Sequence, residues 1–151
     1  TMKIDDSEFD VWGDPERFPY VATTYRLTEH LTSGVMTRTL PYLAEAFARH
    51  FCEIPRELAQ EKGIRNGDWV EVESARGKVR VQAMVTNRLR PLRVGGRLTY
   101  LIGLPIHWGP NSGHVQGDIT NTLTPQAVDV NVQIQESKVF LANLRKVSGG
   151  E

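Results

Sequence analysis

Arg26, Thr28, Glu29 and His30 fall within five positions, directly after a strand-like run from Tyr20 to Tyr25. No helical apolar periodicity explains them as one face of a helix. Arg26 offers a planar fork of donors matched to phosphate or to a base edge. Thr28 adds a small hydroxyl, and His30 a ring that can donate, accept or stack. A strand that hands over to such a cluster holds polar groups at the rim of a rigid scaffold, and together they suit one wall of a nucleotide site. The alternative is a solvated turn closed by an ion pair between Arg26 and Glu29.

Any anion held here must be bound locally. Basic and acidic residues balance at 18 each over 151 residues, so no global field draws the chain to nucleic acid or to a membrane surface. The length suits one domain with a real core. No apolar stretch is long enough to span a bilayer, and no secretory signal opens the sequence. Cys52 is the sole cysteine, which leaves no intrachain disulfide and no thiolate metal or iron–sulfur site. It reads as a core thiol rather than a nucleophile.

The elements that must position the cluster follow. Residues 1–18 are acidic and read as an arm or linker, with Phe9, Val11, Trp12 and Phe18 as docking groups. Leu40, Leu43, Ala44, Phe47 and Phe51 form a stripe that predicts a helix from about Leu40 to Phe51, with Thr39 as N-cap and Pro41 in the first turn. His50 would then sit at its C-terminal end, favouring the dipole. A second helix is expected from about Pro55 to Lys62, stopped by Gly63. From residue 69 the period changes to two. Trp69 to Ser74 and Lys78 to Thr86 read as a hairpin turning at Ala75-Arg76-Gly77. Strands are also expected over Leu98 to Leu104 and Val139 to Val147. Residues 105–135 form a long polar excursion, and such a loop in a compact domain tends to carry function.

Three motifs occur in order: Thr24-Tyr25-Arg26-Leu27-Thr28-Glu29-His30, Pro105-Ile106-His107-Trp108-Gly109 and Asn121-Thr122-Leu123-Thr124-Pro125. With the Gly67-Asp68 turn and Gly77, they make the chain resemble the C-terminal molybdopterin-dinucleotide-binding domain of a molybdenum or tungsten oxidoreductase. The resemblance runs from about Phe18 to Val147. Within that family it is most similar to the major (alpha) subunit of respiratory, membrane-associated formate dehydrogenases. It implies a mainly β fold, a six-stranded double-psi β-barrel with flanking helices, over residues 19–148. The implied ligand is bis(molybdopterin guanine dinucleotide) carrying Mo or W.

Carried onto this sequence, the resemblance implies cofactor contacts at Arg26, Leu27, Thr28, His30, His107, Trp108, Asn121, Thr122 and Lys138 around one shared groove. Ser137 stands where related sequences can carry tyrosine. Other readings stay open: a packed His107–Trp108 pair, Asn121 and Thr122 serving their own turn, and Lys138 guarding a strand edge. No residue of this chain is expected to be catalytic or to bind metal. The family's metal ligand, catalytic histidine and iron–sulfur cysteines belong to other domains, so the isolated chain is expected to be inactive. The implied partners are the remaining domains of the subunit and iron–sulfur and membrane subunits, on the periplasmic side, with neither nucleic-acid binding nor direct membrane insertion. The alternatives are the same domain of a nitrate or polysulfide-type reductase, or a standalone double-psi barrel serving interaction.

Overall fold

A computed structural model describes residues 13–110, 114–129 and 131–148. Its strands are β1 (Tyr20–Tyr25), β2 (Phe51–Pro55), β3 (Trp69–Glu73), β4 (Lys78–Thr86), β5 (Leu92–Val94), β6 (Arg97–Thr99), β7 (Leu101–Pro105) and β8 (Phe140–Lys146). Two short helices, α1 (Pro41–Ala46) and α2 (Arg56–Glu61), flank them. Six strands close into a barrel in the order β1-β7-β2-β4-β3-β8, as expected for a double-psi barrel, and β5 and β6 form a separate ribbon.

The alternation at 69–86 produces its hairpin: Val70 and Val72 face Val81 and Val79 inside the barrel, while Glu71 and Lys78 lie outside. Ala22, Cys52, Ile54, Ile102, Leu104 and Phe140 complete the interior. Cys52 is fully buried there, and burial pushes its thiol far above the usual range, which keeps it inert. Phe18 of the arm is buried, and Arg17 pairs with Glu73 and lies over the Phe18 ring. Phe9, Val11 and Trp12 lie outside the described residues.

Three expectations are corrected. The helix stops at Ala46, and Phe51 opens β2, which pairs with β4 in parallel and meets β7 at Glu53 and Gly103. Barrel closure overrides the local stripe, yet the rings of Phe47 and Phe51 still meet at 5.8 Å. The cap also differs: Leu40 holds the N-cap position, while the Thr39 hydroxyl donates to the Met36 carbonyl. The strand expected over Leu98 to Leu104 is divided at Tyr100, whose carbonyl accepts from the amide of Val21, so its first part joins the ribbon.

Register defines the two ends of the barrel. β1 and β7 run parallel, and β8, β2 and β3 pair so that Tyr25, Pro105, Phe140, Phe51, Lys78 and Glu73 all mark one end. Residues 26–50, 74–77 and 106–139 therefore leave or enter the barrel at that end. The opposite end carries α2 and the β5–β6 ribbon, while residues 13–18 run along the outside of the barrel, with Gly13 against Ala75 and Arg17 paired with Glu73.

Candidate cofactor-binding site

All the residues singled out by motif belong to segments at one barrel end, although they span 113 positions from Arg26 to Lys138. Their environments divide them. Arg26, Thr28, Asn121, Thr122 and Lys138 are exposed, Leu27 is half-buried, and His30, His107 and Trp108 are buried.

The buried group forms the floor. The Leu27 amide donates to His107 Nε2 at 2.7 Å, so that nitrogen carries the lone pair. Nδ1–H of the same ring then donates to the Thr32 carbonyl at 2.6 Å. One neutral imidazole thus ties the loop after β1 to the loop after β7 by both nitrogens. Its pKa lies below the usual histidine value, chiefly through burial, with His30, Arg26 and Arg38 adding to the effect against the opposing Thr32 carbonyl. The loop fits closely because Gly34 adopts φ +79° and packs on the His107 carbonyl, where a Cβ would collide. His30 stands edge-on to Trp108 with ring centroids 5.8 Å apart and shares a hydrogen bond with the Thr37 hydroxyl. Among the described residues, His30 Nε2 and Trp108 Nε1 have no hydrogen-bond partner. The packed His107–Trp108 pair is therefore a fact of the structure, and it leaves Arg26 and Thr28 held outward above it.

The second wall is tied on by hydroxyls. Thr120 donates to the Pro105 carbonyl at 2.6 Å, and its oxygen accepts from His50 Nε2–H at 3.0 Å. Ser74 donates to the Leu123 carbonyl, and Gly77 lets the chain approach Thr122. These contacts draw a 3-10 turn (Thr120–Thr122) across the barrel end, from β7 to the β3–β4 turn. Lys138 Nζ donates to the Thr24 carbonyl at 2.8 Å, and the Thr24 hydroxyl donates to the Ser137 carbonyl. Asn121 and Thr122 project from that turn, while Lys138 lies against β1.

Two residues escaped the sequence reading. Arg38 is buried and donates to the carbonyls of Gly34 and Gly109, stapling the two loops. His50 is no helix end: it is buried, precedes β2 and stacks on Trp108 with ring centroids 5.1 Å apart. Nothing local in the sequence marks either residue, because Arg38 meets Gly109 from 71 positions away and His50 meets Thr120 from 70. A neighbouring cavity of about 370 Å³ is lined by Arg49, His50, Trp69, Arg80 and His114 and by none of the motif residues.

No Arg26–Glu29 ion pair forms, and Arg26 has no hydrogen-bond or ion-pair partner among the described residues. The donor set fits a phosphate-bearing dinucleotide. Arg26, Thr28, Asn121 and Thr122 supply exposed donors, Lys138 adds a charge while donating to the Thr24 carbonyl, and His30 and Trp108 hold buried unpartnered nitrogens. Among the described residues no group of three or more histidine, cysteine or carboxylate side chains has the placement to hold a metal ion.

The closed six-stranded barrel, with polar donors exposed at one end, defines a double-psi β-barrel domain. Residues 20–141 match the molydopterin dinucleotide binding domain, and the chain belongs to that family. It is 48% identical over 134 residues to the nitrate-inducible formate dehydrogenase major subunit of Escherichia coli, covering 89% of this chain and 13% of that protein. With the formate dehydrogenase alpha subunit of Megalodesulfovibrio gigas it shares 44% identity over 133 residues, 88% of this chain and 13% of the relative. The chain thus spans 13% of the length of these relatives. Acetylene hydratase from Pelobacter acetylenicus shares the fold at TM-score 0.64 and 16% identity, over 88% of this chain and 19% of that one.

Proposed function

We propose that this chain is the domain of a formate dehydrogenase that holds bis(molybdopterin guanine dinucleotide) in place. The observation that carries it is the convergence of Arg26, Thr28, Asn121, Thr122 and Lys138 on one barrel end, combined with 44–48% identity to formate dehydrogenase subunits. When bound, the cofactor supplies the metal, Mo or W, at which formate is oxidised to carbon dioxide.

Arg26 offers two parallel N–H donors to a phosphate, and Lys138 adds a point charge. Thr28, Asn121 and Thr122 offer hydroxyl and amide groups to sugar or base edges. Leu27, His30, His107 and Trp108 serve the same site from below. His107 fixes the Leu27 backbone, and His30 and Trp108 present their free ring nitrogens. None of these groups is asked to move a proton or an electron. Their work is to orient the ligand and exclude water from its polar edges.

The same end exposes Leu31 (55%), Val35 (54%), Met36 (66%) and Tyr42 (68%). An apolar rim around a polar site suits burial against the remaining domains of the subunit, which would carry the iron–sulfur cluster and close the site. Partner subunits with iron–sulfur and membrane-anchoring roles, and a periplasmic location, complete the proposal. No helix among the described residues is long and apolar enough to cross a membrane.

The test is Arg26→Glu in the full-length enzyme, with cofactor content read from the fluorescence of the released, oxidised pterin. A lost charge-assisted hydrogen bond is worth about 1.5–3 kcal/mol, and a carboxylate against phosphate adds repulsion. Retention should fall by about tenfold or more. Full cofactor content in a folded variant would reject the assignment.

A further inference from the structure

The β5–β6 ribbon takes no part in the barrel. Its register pairs Leu92 with Thr99, Arg93 with Leu98, and Val94 with Arg97, closed by Gly95 and Gly96 at φ +57° and +82°. Directly paired residues share a face, so Leu92, Val94 and Arg97 stand on one face and Arg93 and Leu98 on the other. Both faces are open: Leu92 is 37% exposed, Val94 55% and Leu98 58%. Both strand edges are free as well, because β5 pairs only with β6 among the described residues. The base is fastened where the Thr99 hydroxyl donates to the Pro19 carbonyl.

A two-stranded ribbon with no covered face is marginally stable in water by itself. Its charge is also one-sided in a chain of zero net charge. Residues 87–100 contain Arg88, Arg90, Arg93 and Arg97 and no Asp or Glu. Arg88 is engaged by Glu53 of β2, while Arg90, Arg93 and Arg97 have no partner among the described residues. Charged side chains often guard strand edges, but a guard does not require apolar side chains exposed on both faces between them.

We infer that the β5–β6 ribbon is a docking element for a separate polypeptide, which adds a strand to a ribbon edge and meets Arg90, Arg93 and Arg97 with carboxylates. Free backbone edges favour a polypeptide over a lipid surface, because only another strand satisfies their amides and carbonyls in register. Guanidinium groups pair with carboxylates two bonds at a time. The choice of a separate chain over this subunit's own remaining domains rests on the proposed function. That reading turns the opposite barrel end, with residues 26–50 and 106–139, toward the cofactor and the rest of the subunit. The ribbon then points away from it.

The experiment uses the full-length subunit in its native assembly, with a photo-crosslinking amino acid at Val94 or at Leu98. The expected adduct joins the ribbon to an extended, Asp- or Glu-bearing segment of another subunit. A companion variant, Arg93→Glu with Arg97→Glu, should weaken subunit association about tenfold or more while pterin content stays at the wild-type level. Crosslinks confined to the ribbon's own subunit, crosslinks to lipid alone, or no adduct would each overturn the inference. Unchanged association in the charge-reversed variant would do the same. Pterin content reports separately on the cofactor site, so failure of that reading would be seen independently.

Discussion

Acidification should destabilise this domain well before its carboxylates titrate, and His50 sets most of the effect. His50 is 3% exposed, and burial lowers its pKa to about 4, against the opposing pull of the Pro105 carbonyl and Asp118. Its Nε2–H is committed to Thr120, and Nδ1 has no hydrogen-bond partner among the described residues, so an added proton would be buried against Trp108. Above the unfolded value of about 6.5, both states are neutral and the group contributes no pH dependence. As pH falls through that value, the unfolded chain takes up a proton that the folded chain refuses. Stability then drops by about 1.4 kcal/mol per pH unit until the folded group titrates, and the loss from His50 alone is about 2 kcal/mol by pH 5. His30 and His107, both lowered chiefly by burial, push in the same direction. Asp68 and Glu71 have carboxyls held below their ordinary values, so their losses begin at still lower pH. Urea unfolding followed by tryptophan fluorescence at pH 7 and pH 5 reads the difference, with His50→Gln as the non-titrating comparison. Wild type should lose about 2 kcal/mol more than the variant over that interval. Equal losses in both, or no loss in wild type, would refute the reasoning.

Gly34→Ala should cost about 2–4 kcal/mol by thermal or urea unfolding, because φ +79° and the adjacent His107 carbonyl both reject a Cβ; a cost below about 0.5 kcal/mol would contradict the packing. The isolated chain should show no formate-driven dye reduction in the presence of Mo or W, since its single cysteine is sealed in the barrel; turnover by the purified chain would contradict this.

The barrel was legible where one strand face is wet. β3 and β4 alternate because Glu71, Glu73, Lys78 and Arg80 point outward, and β1 was bounded correctly at Tyr20 and Tyr25. β2 was hidden because Phe51 through Pro55 are buried throughout, so no period of two is written there. Glu53 adds to the disguise: it is buried on the outer face, paired with Arg88 and accepting from the Tyr25 hydroxyl. At the site, residue type identified the loops but could not separate floor from rim. His107 and Arg26 look equally polar in sequence. The difference arises from long-range contacts, His107 to Leu27 and Thr32, and Arg38 to Gly109, that no local pattern encodes.

The proposed function seats the dinucleotide at one end of this barrel. A structure of the full-length enzyme with its cofactor tests it most directly. Phosphate or guanosine atoms should lie within hydrogen-bonding distance of Arg26 and of the Asn121–Thr122 turn, with Lys138 alongside. A dinucleotide lying against the β5–β6 end, or one that touches neither Arg26 nor Asn121, would contradict it.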